Sequence, residues 1–398
     1  MKYLILVPDG MADEPIEELG GKTPLEVAHT TNLDYMAQNG FTGLVQTIPD
    51  GMPPGSDIGN LALLGYDPKI DFTGRAPLEA ASMGIELGLD EVAFRCNLVT
   101  IADETMFDYS AGHISTEEAA KLIHELNEKI GRPEVKFYPG KGYRHLMVIK
   151  TPLVEKFLNI KCTPPHDISG KKITSFLPQG PSHEVLLSIM EQSKTILAVH
   201  EINRVRLDLK ENPATMIWLW GQGKRPNLPL FKDRWNLTGS IISAVDLVNG
   251  IGRLAGLDVI NVPGATGYYD TNYEGKAYYA IESLKKKDFV YVHVEAPDEA
   301  GHNGDLKAKI NCIERFDREL VGTVLNHFGK HDQVRILVSP DHPTPIAKKT
   351  HTRAPVCFVM FGAGIATNNM DSYNEITAQK IGLKFSSGMD MIQYFFKH

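Results

Sequence analysis

Short runs of apolar residues recur along the chain, and turn-forming residues follow most of them. Four such runs cover residues 3–7, 288–294, 334–338 and 356–360. Uninterrupted apolar runs of this length are typical of strands that are buried on both faces of a sheet. Segments with the apolar spacing of a helix lie between them, for example residues 240–254 and 307–328. Apolar strands that alternate with amphipathic helices predict an α/β fold with a mostly parallel sheet covered on both faces.

The middle of the chain has a different pattern. Shorter strands mix there with helices, at residues 93–101, 116–130, 145–149 and 182–192. A loop rich in turn-forming residues, 163–170, lies among them. We interpret residues 92–213 as a smaller α/β domain, of α+β type, that is inserted into the first one. The first domain is then discontinuous and consists of residues 1–91 and 214–398.

The composition is that of an ordinary globular protein, and the net charge narrows the range of partners. Hydrophobic residues make up 42% and charged residues 23% of the 398 residues, and the net charge is −8. Nucleic acids and anionic membranes favour a basic surface, so neither is expected as a main partner. A small anionic substrate stays possible because a local cluster of arginines can attract one.

The cysteines and the apolar segments indicate the cellular compartment. The four cysteines form no CxxC pair, which argues against a zinc ribbon and a redox motif, and reduced thiols are typical of a cytoplasm. The first apolar run is too short for the core of a signal peptide. No segment approaches the length of a membrane span. We therefore expect a cytoplasmic protein.

Acidic residues and histidines cluster beside the predicted strands. They follow strands 3–7, 288–294 and 334–338 or precede strand 356–360, and they are Asp9, Asp298, His302, Asp341, His342 and His351. An acidic residue after a strand is usually a turn or cap residue, so none of them is informative alone. In open parallel sheets, however, ligands bind beyond the carboxyl ends of the strands. Their joint occurrence therefore indicates one site at that edge.

The residue types in this set suggest two metal ions and a nucleophile. Carboxylates and imidazoles without thiolates suit manganese, zinc or magnesium, and six such groups exceed what one tetrahedral ion needs. Two ions about 4 Å apart can bridge the attacking and leaving oxygens of a phosphoryl transfer. Ser56 follows a loop rich in Gly and Pro and is predicted to be the N-cap of a helix. A phosphate is favoured at such a position, and metal coordination would activate the hydroxyl.

The same residues carry a resemblance to a known family. The segments concerned are PDG (8–10), GSDIGN (55–60), TGRAPLEA (73–80), AFRCN (93–97), WLWGQG (218–223), PGATG (263–267), EAPDEAGH (295–302), PDHP (340–343) and HTRAPV (351–356). Together they resemble the archaeal-type branch of the cofactor-independent phosphoglycerate mutases, in the alkaline phosphatase superfamily. The resemblance extends over nearly the whole chain.

The resemblance implies a fold, an activity and a set of metal ligands. The implied fold is an alkaline-phosphatase-like three-layer sandwich with an inserted lid domain that keeps water from the site. Ser56 would take the phosphoryl group from 3-phosphoglycerate and return it to the 2-hydroxyl group of the bound glycerate. Two divalent cations are implied, with Mn²⁺ expected and Zn²⁺ or Mg²⁺ as alternatives. One would be bound by Asp298, His302 and His351, and the other by Asp9, Ser56, Asp341 and His342.

Phosphoglycerate, the small-molecule partner implied by the resemblance, carries a carboxylate and a phosphate. Both favour cationic side chains, and bidentate arginines above all. The candidates for substrate binding are Arg75, Arg95, His113, Arg144 and Lys276. His113 is also a candidate acid or base for the glycerate hydroxyl groups. A surface or capping role is an equal alternative for each of them.

The phosphoryl acceptor and some other activities stay open at this stage. Archaeal members of the family carry an arginine-rich segment where this chain has DYSAGHI (108–114). Homoserine carries an ammonium group, which a less basic pocket would tolerate better. A homoserine kinase-like phosphotransferase is therefore the first alternative. A metal-dependent phosphatase, sulfatase or phosphonate hydrolase and a phosphopentomutase are others, and a binding protein without catalysis is the alternative from a different class. The oligomeric state is also open.

Overall fold

The structure is a computed structural model that describes residues 1–329 and 333–397. Its strands, in chain order, are β1 (Lys2–Pro8), β2 (Phe41–Val45), β3 (Glu91–Ala102), β4 (Thr105–Asp108), β5 (Val135–Tyr138), β6 (Arg144–Lys150), β7 (Met216–Lys224), β8 (Gly239–Ile242), β9 (Asp258–Val259), β10 (Phe289–Val294), β11 (Val334–Val338), β12 (Val356–Gly362) and β13 (Leu383–Phe385).

Helices connect most of these strands. The α-helices are α1 (Pro24–Val27), α2 (Thr31–Asn39), α3 (Ser56–Leu63), α4 (Pro68–Asp71), α5 (Arg75–Ser82), α6 (Thr116–Lys129), α7 (Val154–Leu158), α8 (His183–Val199), α9 (Glu201–Asp208), α10 (Phe231–Trp235), α11 (Asp246–Leu254), α12 (Tyr273–Leu284), α13 (Ala296–Asn303), α14 (Leu306–Arg315), α15 (Gly322–Phe328), α16 (Glu375–Ile381) and α17 (Gly388–Lys397). A π-helical segment, Phe316–Val321, joins α14 to α15. The helix predicted over residues 307–328 is therefore one continuous helical run.

The larger sheet has eight strands in the order β13-β2-β12-β11-β1-β10-β8-β9. The five strands from β11 to β9 run parallel, whereas β12 is antiparallel to both of its neighbours. The strands β11, β1 and β10 are adjacent, so their carboxyl ends lie at one edge of the sheet. This edge is where the predicted site residues follow the strands.

Helices cover both faces of this sheet. Leu4 and Leu6 of β1 share a buried core with residues of α2, α12 and α14. Tyr3 points to the opposite face, where it packs against Phe395 of α17 with ring centroids 5.7 Å apart. On that face Gly252 of α11 also lies directly against Ile241 of β8. The predicted three-layer α/β class with a mostly parallel sheet is therefore confirmed.

A second, five-stranded sheet has a different construction. Its path is β4-β3-β6-β5, with β7 pairing β3, and every pair in it is antiparallel. Helices α6 and α8 pack on it around a core that includes Phe94, Leu122, Ile189 and Trp218. The predicted second region of mixed strands and helices is therefore present as an α+β unit.

The described chain divides into two compact units. One contains residues 1–72 and 227–398, and the other contains residues 73–226. The predicted insert, 92–213, lies wholly within the second unit, which also includes α5 before it and β7 after it. The lid role of this unit stays a prediction.

The segment 240–254 differs from its predicted structure. It was expected to be one helix, but its first residues form β8, and only α11 is helical. Ser240, Ile241 and Ile242 are buried against β10, with which β8 pairs in parallel register. Pairing with β10 determines the secondary structure of this segment, because a short apolar stretch shows neither the hydrophobic periodicity of a helix nor that of a strand.

The cysteines and the helices are the features on which the compartment prediction depends. All four cysteines, Cys96, Cys162, Cys312 and Cys357, are free thiols. Within residues 1–329 and 333–397, none of the helices has both the length and the apolar character needed to cross a bilayer.

Candidate metal centre

The predicted site residues of the first unit come together at the carboxyl edge of the larger sheet. Asp9 directly follows β1, Asp341 follows β11, and Asp298 lies in the first turn of α13, just after β10. All three carboxylates are buried, with at most 3% of each residue exposed. The parallel register of β11, β1 and β10 is the reason that residues more than 280 positions apart in the chain meet here.

Asp298, His302 and His351 form the first group. His302 Nε2 lies 3.1 Å from Asp298 Oδ2, and His351 Nε2 lies 3.5 Å from Asp298 Oδ1. The two imidazole Nε2 atoms are 2.9 Å apart. Asp298 and His302 are four residues apart in α13, which places both on one side of the helix. Three donor atoms that converge in this way are an arrangement suited to one cation.

The backbone carbonyl of Lys349 orients the imidazole of His302. His302 Nδ1 lies 3.1 Å from this oxygen, so Nδ1 carries a hydrogen and Nε2 faces Asp298. Burial lowers the pKa of His302, but the hydrogen bond and the charge of Asp298 outweigh it and raise the pKa to about 9. Burial would also raise the pKa of Asp298, yet its hydrogen bonds with His302 and His351 hold that pKa well below the usual range. This group therefore attracts positive charge.

Asp9, Ser56, Asp341 and His342 form the second group. Ser56 Oγ lies 3.2 Å from Asp9 Oδ2 and 3.2 Å from His342 Nε2. His342 Nε2 is also 3.4 Å from Asp9 Oδ1 and 3.5 Å from Asp341 Oδ2. The hydroxyl group of Ser56 therefore lies among the donor atoms of this group.

The first turn of α3 presents Ser56 to the site in a way that the sequence did not predict. Ser56 is the first helical residue and Gly55 is the N-cap, so the predicted capping role of Ser56 is wrong. Its side chain is thereby free to point at Asp9 and His342. One turn on, a Cβ at Gly59 would lie 2.8 Å from Asp341 Cβ, closer than real atoms approach. Glycine at 59 therefore allows α3 to lie directly against the loop that carries Asp341.

Asn60 ties the elements of the second group together. Its Nδ2 donates to Asp341 Oδ2 at 2.8 Å and to the Ser56 carbonyl at 2.8 Å. Its Oδ1 accepts a hydrogen bond from the Tyr291 hydroxyl of β10 at 2.6 Å. Both are buried residues that sequence reasoning missed. The spacing of four residues between Ser56 and Asn60 was the available signal.

The charge balance of the centre favours a bound cation. Burial first, and then the charges of Asp341 and Glu295, raise the pKa of Asp9 well above its usual value. Among the described residues Asp9 Oδ1 accepts no hydrogen bond. An unpartnered buried carboxylate costs several kcal/mol. The donor atoms thus fit divalent cations, which supply the missing positive charge.

Two further residues belong to the same cluster of donors. His293, inside β10, places Nε2 2.9 Å from Asp9 Oδ2, and Glu295 lies within reach of Asp9 and Asp298. Sets whose donor atoms all lie within 4.8 Å of one another include Asp9, His293 and Asp341, as well as Asp298, His342 and His351. His293 was missed because it lies within an apolar run rather than after it. A polar residue inside such a run was the signal.

The residues predicted to bind substrate have different locations. Arg75, Arg95, His113 and Arg144 belong to the second unit, whereas the residues of the metal centre belong to the first. Arg95 is buried, its Nε lies 3.0 Å from Glu79 Oε2, and its guanidinium stacks on Trp220 at 4.3 Å. The guanidinium of Arg144 lies 4.7 Å from the centre of the Tyr143 ring.

Lys276 lies in the first unit, and the protein encloses its side chain. It is completely buried, and its Nζ donates to the His293 carbonyl at 2.7 Å. Burial lowers its pKa to about 8, while the charge of Glu295 raises it. This position gives no support to substrate binding by Lys276 and instead indicates a role in holding β10 beside the cluster.

Comparisons with known proteins agree with the geometry. A family model described as 2,3-bisphosphoglycerate-independent phosphoglycerate mutase matches residues 37–203. The protein of that name from Methanosarcina barkeri is 50% identical, over 98% of each chain. The structure of the PH0037 protein from Pyrococcus horikoshii aligns with a TM-score of 0.84 at 31% identity, covering 99% of this chain and 96% of that one. The cofactor-independent phosphoglycerate mutase from Thermoplasma acidophilum aligns with a TM-score of 0.66 at 25% identity, covering 99% of both chains. The chain belongs to the family of 2,3-bisphosphoglycerate-independent phosphoglycerate mutases.

Proposed function

We propose that this protein interconverts 3-phosphoglycerate and 2-phosphoglycerate through a phosphorylated Ser56. The observation that carries the proposal is the position of Ser56 Oγ, 3.2 Å from both Asp9 Oδ2 and His342 Nε2 and within a cluster of cation ligands. Family membership favours this activity over a homoserine kinase, a phosphatase and a phosphonate hydrolase, because relatives with about half of their residues identical carry the mutase name.

The reaction takes place in two balanced steps. Ser56 Oγ attacks the phosphorus atom of 3-phosphoglycerate, the bond from phosphorus to O3 breaks, and O3 takes up a proton while Ser56 loses one. The O2 hydroxyl group of the retained glycerate then attacks the phosphoserine and gives up its proton. The bond from phosphorus to Ser56 Oγ breaks, and Oγ regains a proton. No free bisphosphoglycerate takes part.

The residues around Ser56 position its oxygen and hold its proton. Asp9 Oδ2 is in hydrogen-bond range of Oγ and can accept the proton that leaves it, while His342 Nε2, at the same distance, would use its lone pair to bind the cation. The N-terminus of α3 adds backbone N–H groups that favour a phosphate on Ser56. Divalent cations bound by the two groups would lower the pKa of the serine hydroxyl group and stabilise charge on the transferred phosphoryl group.

The assignment of residues to two cations is part of this proposal. Asp298, His302 and His351 would bind one, and Asp9, Ser56, Asp341 and His342 the other. The mixture of carboxylate and imidazole ligands favours Mn²⁺, and it also suits Zn²⁺ and Mg²⁺. Substrate contacts by Arg75, Arg95, His113 and Arg144 and the lid role of the second unit stay predictions.

The test is a coupled assay on Mn²⁺-supplemented protein with 3-phosphoglycerate and no bisphosphoglycerate. We expect 2-phosphoglycerate to form, the rate to vanish on chelation, and Ser56→Ala to lose activity on the order of 10⁶-fold, as removal of a catalytic nucleophile does elsewhere. Ser386→Ala is the matched control, since this exposed serine bonds only Asp390 among the described residues. Full activity of Ser56→Ala would refute the phosphoserine route.

A negative assay would also be informative. If the wild-type protein forms no 2-phosphoglycerate, homoserine with a phosphoryl donor and p-nitrophenyl phosphate are the next substrates. Turnover of homoserine would replace glycerate as the acceptor. Rapid hydrolysis of p-nitrophenyl phosphate without mutase activity would make the protein a phosphatase.

A further inference from the structure

Thr344 connects the two groups of candidate ligands. It is completely buried, and it lies between Pro343 and Pro345 on the loop that follows Asp341 and His342. Its Oγ1 hydrogen-bonds Asp298 Oδ1, in the first group. The same oxygen lies 3.3 Å from His342 Nδ1, in the second group. No other feature of the site described above contacts both of these ligands through one hydroxyl group.

The direction of these two hydrogen bonds follows from counting protons. A threonine hydroxyl group has one hydrogen, and the Asp298 carboxylate can only accept, so Oγ1 donates to Asp298. The remaining lone pairs of Oγ1 can accept only, and His342 Nδ1 must therefore be the N–H donor. In the neutral imidazole this leaves Nε2 without a hydrogen. Nε2 is the atom that faces Ser56 Oγ and Asp341.

Hydrogen bonds on both sides hold the backbone of Thr344 in place. Its N–H donates to the Ala12 carbonyl at 3.2 Å, and its carbonyl accepts from Lys309 Nζ at 2.8 Å. The side chain is enclosed by two glycines, since a Cβ at Gly301 would lie 2.7 Å from Thr344 Cγ2 and one at Gly10 would lie 2.6 Å from Oγ1. The side chain of Thr344 is therefore closely packed against the backbone at these two glycines.

We propose that Thr344 is a positioning residue that sets the tautomer of His342 and couples the two ligand groups. The proposal rests on the proposed two-cation function, because a cation requires the bare Nε2 lone pair. An outer partner of a ligating histidine orients the ring, and its removal typically costs about 10- to 100-fold in metal affinity or activity. The short polar hydroxyl group is needed for this, and a methyl group of the same size is not enough.

The decisive measurement is the tautomer of His342 in metal-free protein, from long-range ¹H–¹⁵N correlation spectra. The resonance is assigned by its disappearance in His342→Gln. We expect the Nδ1–H form in the wild type and in Thr344→Ser, which keeps the hydroxyl group, and a mixed or Nε2–H form in Thr344→Val. A wild-type protein with the Nε2–H form would overturn the proposal, even if Thr344→Val does not fold.

Metal affinity provides the second readout. Calorimetric titration with Mn²⁺ alone should show a loss of about 10- to 100-fold for Thr344→Val and near wild-type binding for Thr344→Ser. Thr42→Val is the matched control, because Thr42 is fully buried in β2 and, among the described residues, its Oγ1 has no partner. Equal losses in the Ser and Val variants would assign Thr344 to packing and contradict the proposal.

The two proposals can fail separately. Mutase activity that survives in Ser56→Ala refutes the phosphoserine route but does not affect the tautomer of His342. A wrong tautomer in a protein with full mutase activity refutes only the role of Thr344.

Discussion

Two clusters of buried charge lie side by side in the first unit, and they differ in how their carboxylates are partnered. In the closed cluster, Lys309 Nζ lies 2.7 Å from Asp13 Oδ2, and Glu375 accepts hydrogen bonds from the Asp13 N–H at 3.0 Å and from Thr23 Oγ1 at 2.7 Å. The open cluster is the metal centre, where the carboxylates of Asp9, Asp298, Asp341 and Glu295 meet and, among the described residues, Asp9 Oδ1 has no hydrogen-bond partner.

The difference separates structural charge from functional charge. Removing charged groups from water costs free energy in both clusters. In the closed cluster, an ion pair and hydrogen bonds within the chain offset this cost. In the open cluster histidines partner some of the carboxylate oxygens, but Asp9 Oδ1 has no partner among the described residues, and a bound cation would supply one. Burial of a charge is therefore not a sign of function by itself, whereas a buried charge with no partner is.

The largest expected effect comes from breaking the closed cluster. Lys309→Met leaves Asp13 buried without its cation, which should lower the free energy of unfolding by about 3–5 kcal/mol. Urea unfolding of metal-free protein followed by circular dichroism measures it. Lys286→Met, at an exposed lysine, is the control. A change below about 1 kcal/mol would show that the closed cluster does not support the fold.

A smaller effect of opposite sign is expected in the open cluster. Asp9→Asn removes a repelled charge whose pKa is raised by burial and by Asp341, so metal-free protein should become more stable by about 1–3 kcal/mol. The same substitution at Asp13 should destabilise, because it breaks the ion pair with Lys309. Stabilisation by added Mn²⁺ should be lost in Asp9→Asn and kept in Asp13→Asn. If the free energy of unfolding changes with the same sign in Asp9→Asn and Asp13→Asn, the distinction between the two clusters is wrong.

The smallest expected effect is a dependence on pH. In metal-free protein the pKa of His302 is about 9, above the value of 6.5 for an unperturbed histidine. The folded state therefore binds this proton more tightly, and the resulting stability is complete below pH 6.5 and lost as the pH rises through 9. Thermal unfolding at pH 6, 7.5 and 9 should show this decline, and His302→Gln should flatten it. Mn²⁺ must displace the same proton, so its affinity should instead increase with pH.

The sequence predicted the centre better than its surroundings for a physical reason. Asp9, Asp298 and Asp341 could be placed together because parallel strands share one carboxyl edge, which needs only the order of the strands. The bonds from Thr344 to Asp298 and from Lys309 to Thr344 depend on loop conformations that have no period along the chain. Ser56 was placed at the correct helix end, but one position away from the true cap, since Gly55 takes that role.

Long-range pairing accounts for the other difference. Strand β7 pairs with β3 across more than a hundred residues, and no local pattern shows that residues 216–224 belong with the second unit. In the same way, residues 239–242 are a strand only because β10 lies beside them. The secondary structure of such segments is determined by strands that are distant in the chain.

The contact at Gly59 provides a criterion for reading other sequences of this family. A side chain at this position would push α3 away from Asp341, and with it the serine one turn earlier. In a family member with another residue in place of this glycine, we therefore expect the serine hydroxyl group to lie away from the ligands, even if all of the metal ligands are retained. The absence of a side chain at residue 59, three residues after the nucleophile, is thus as much a requirement of the site as the ligands themselves.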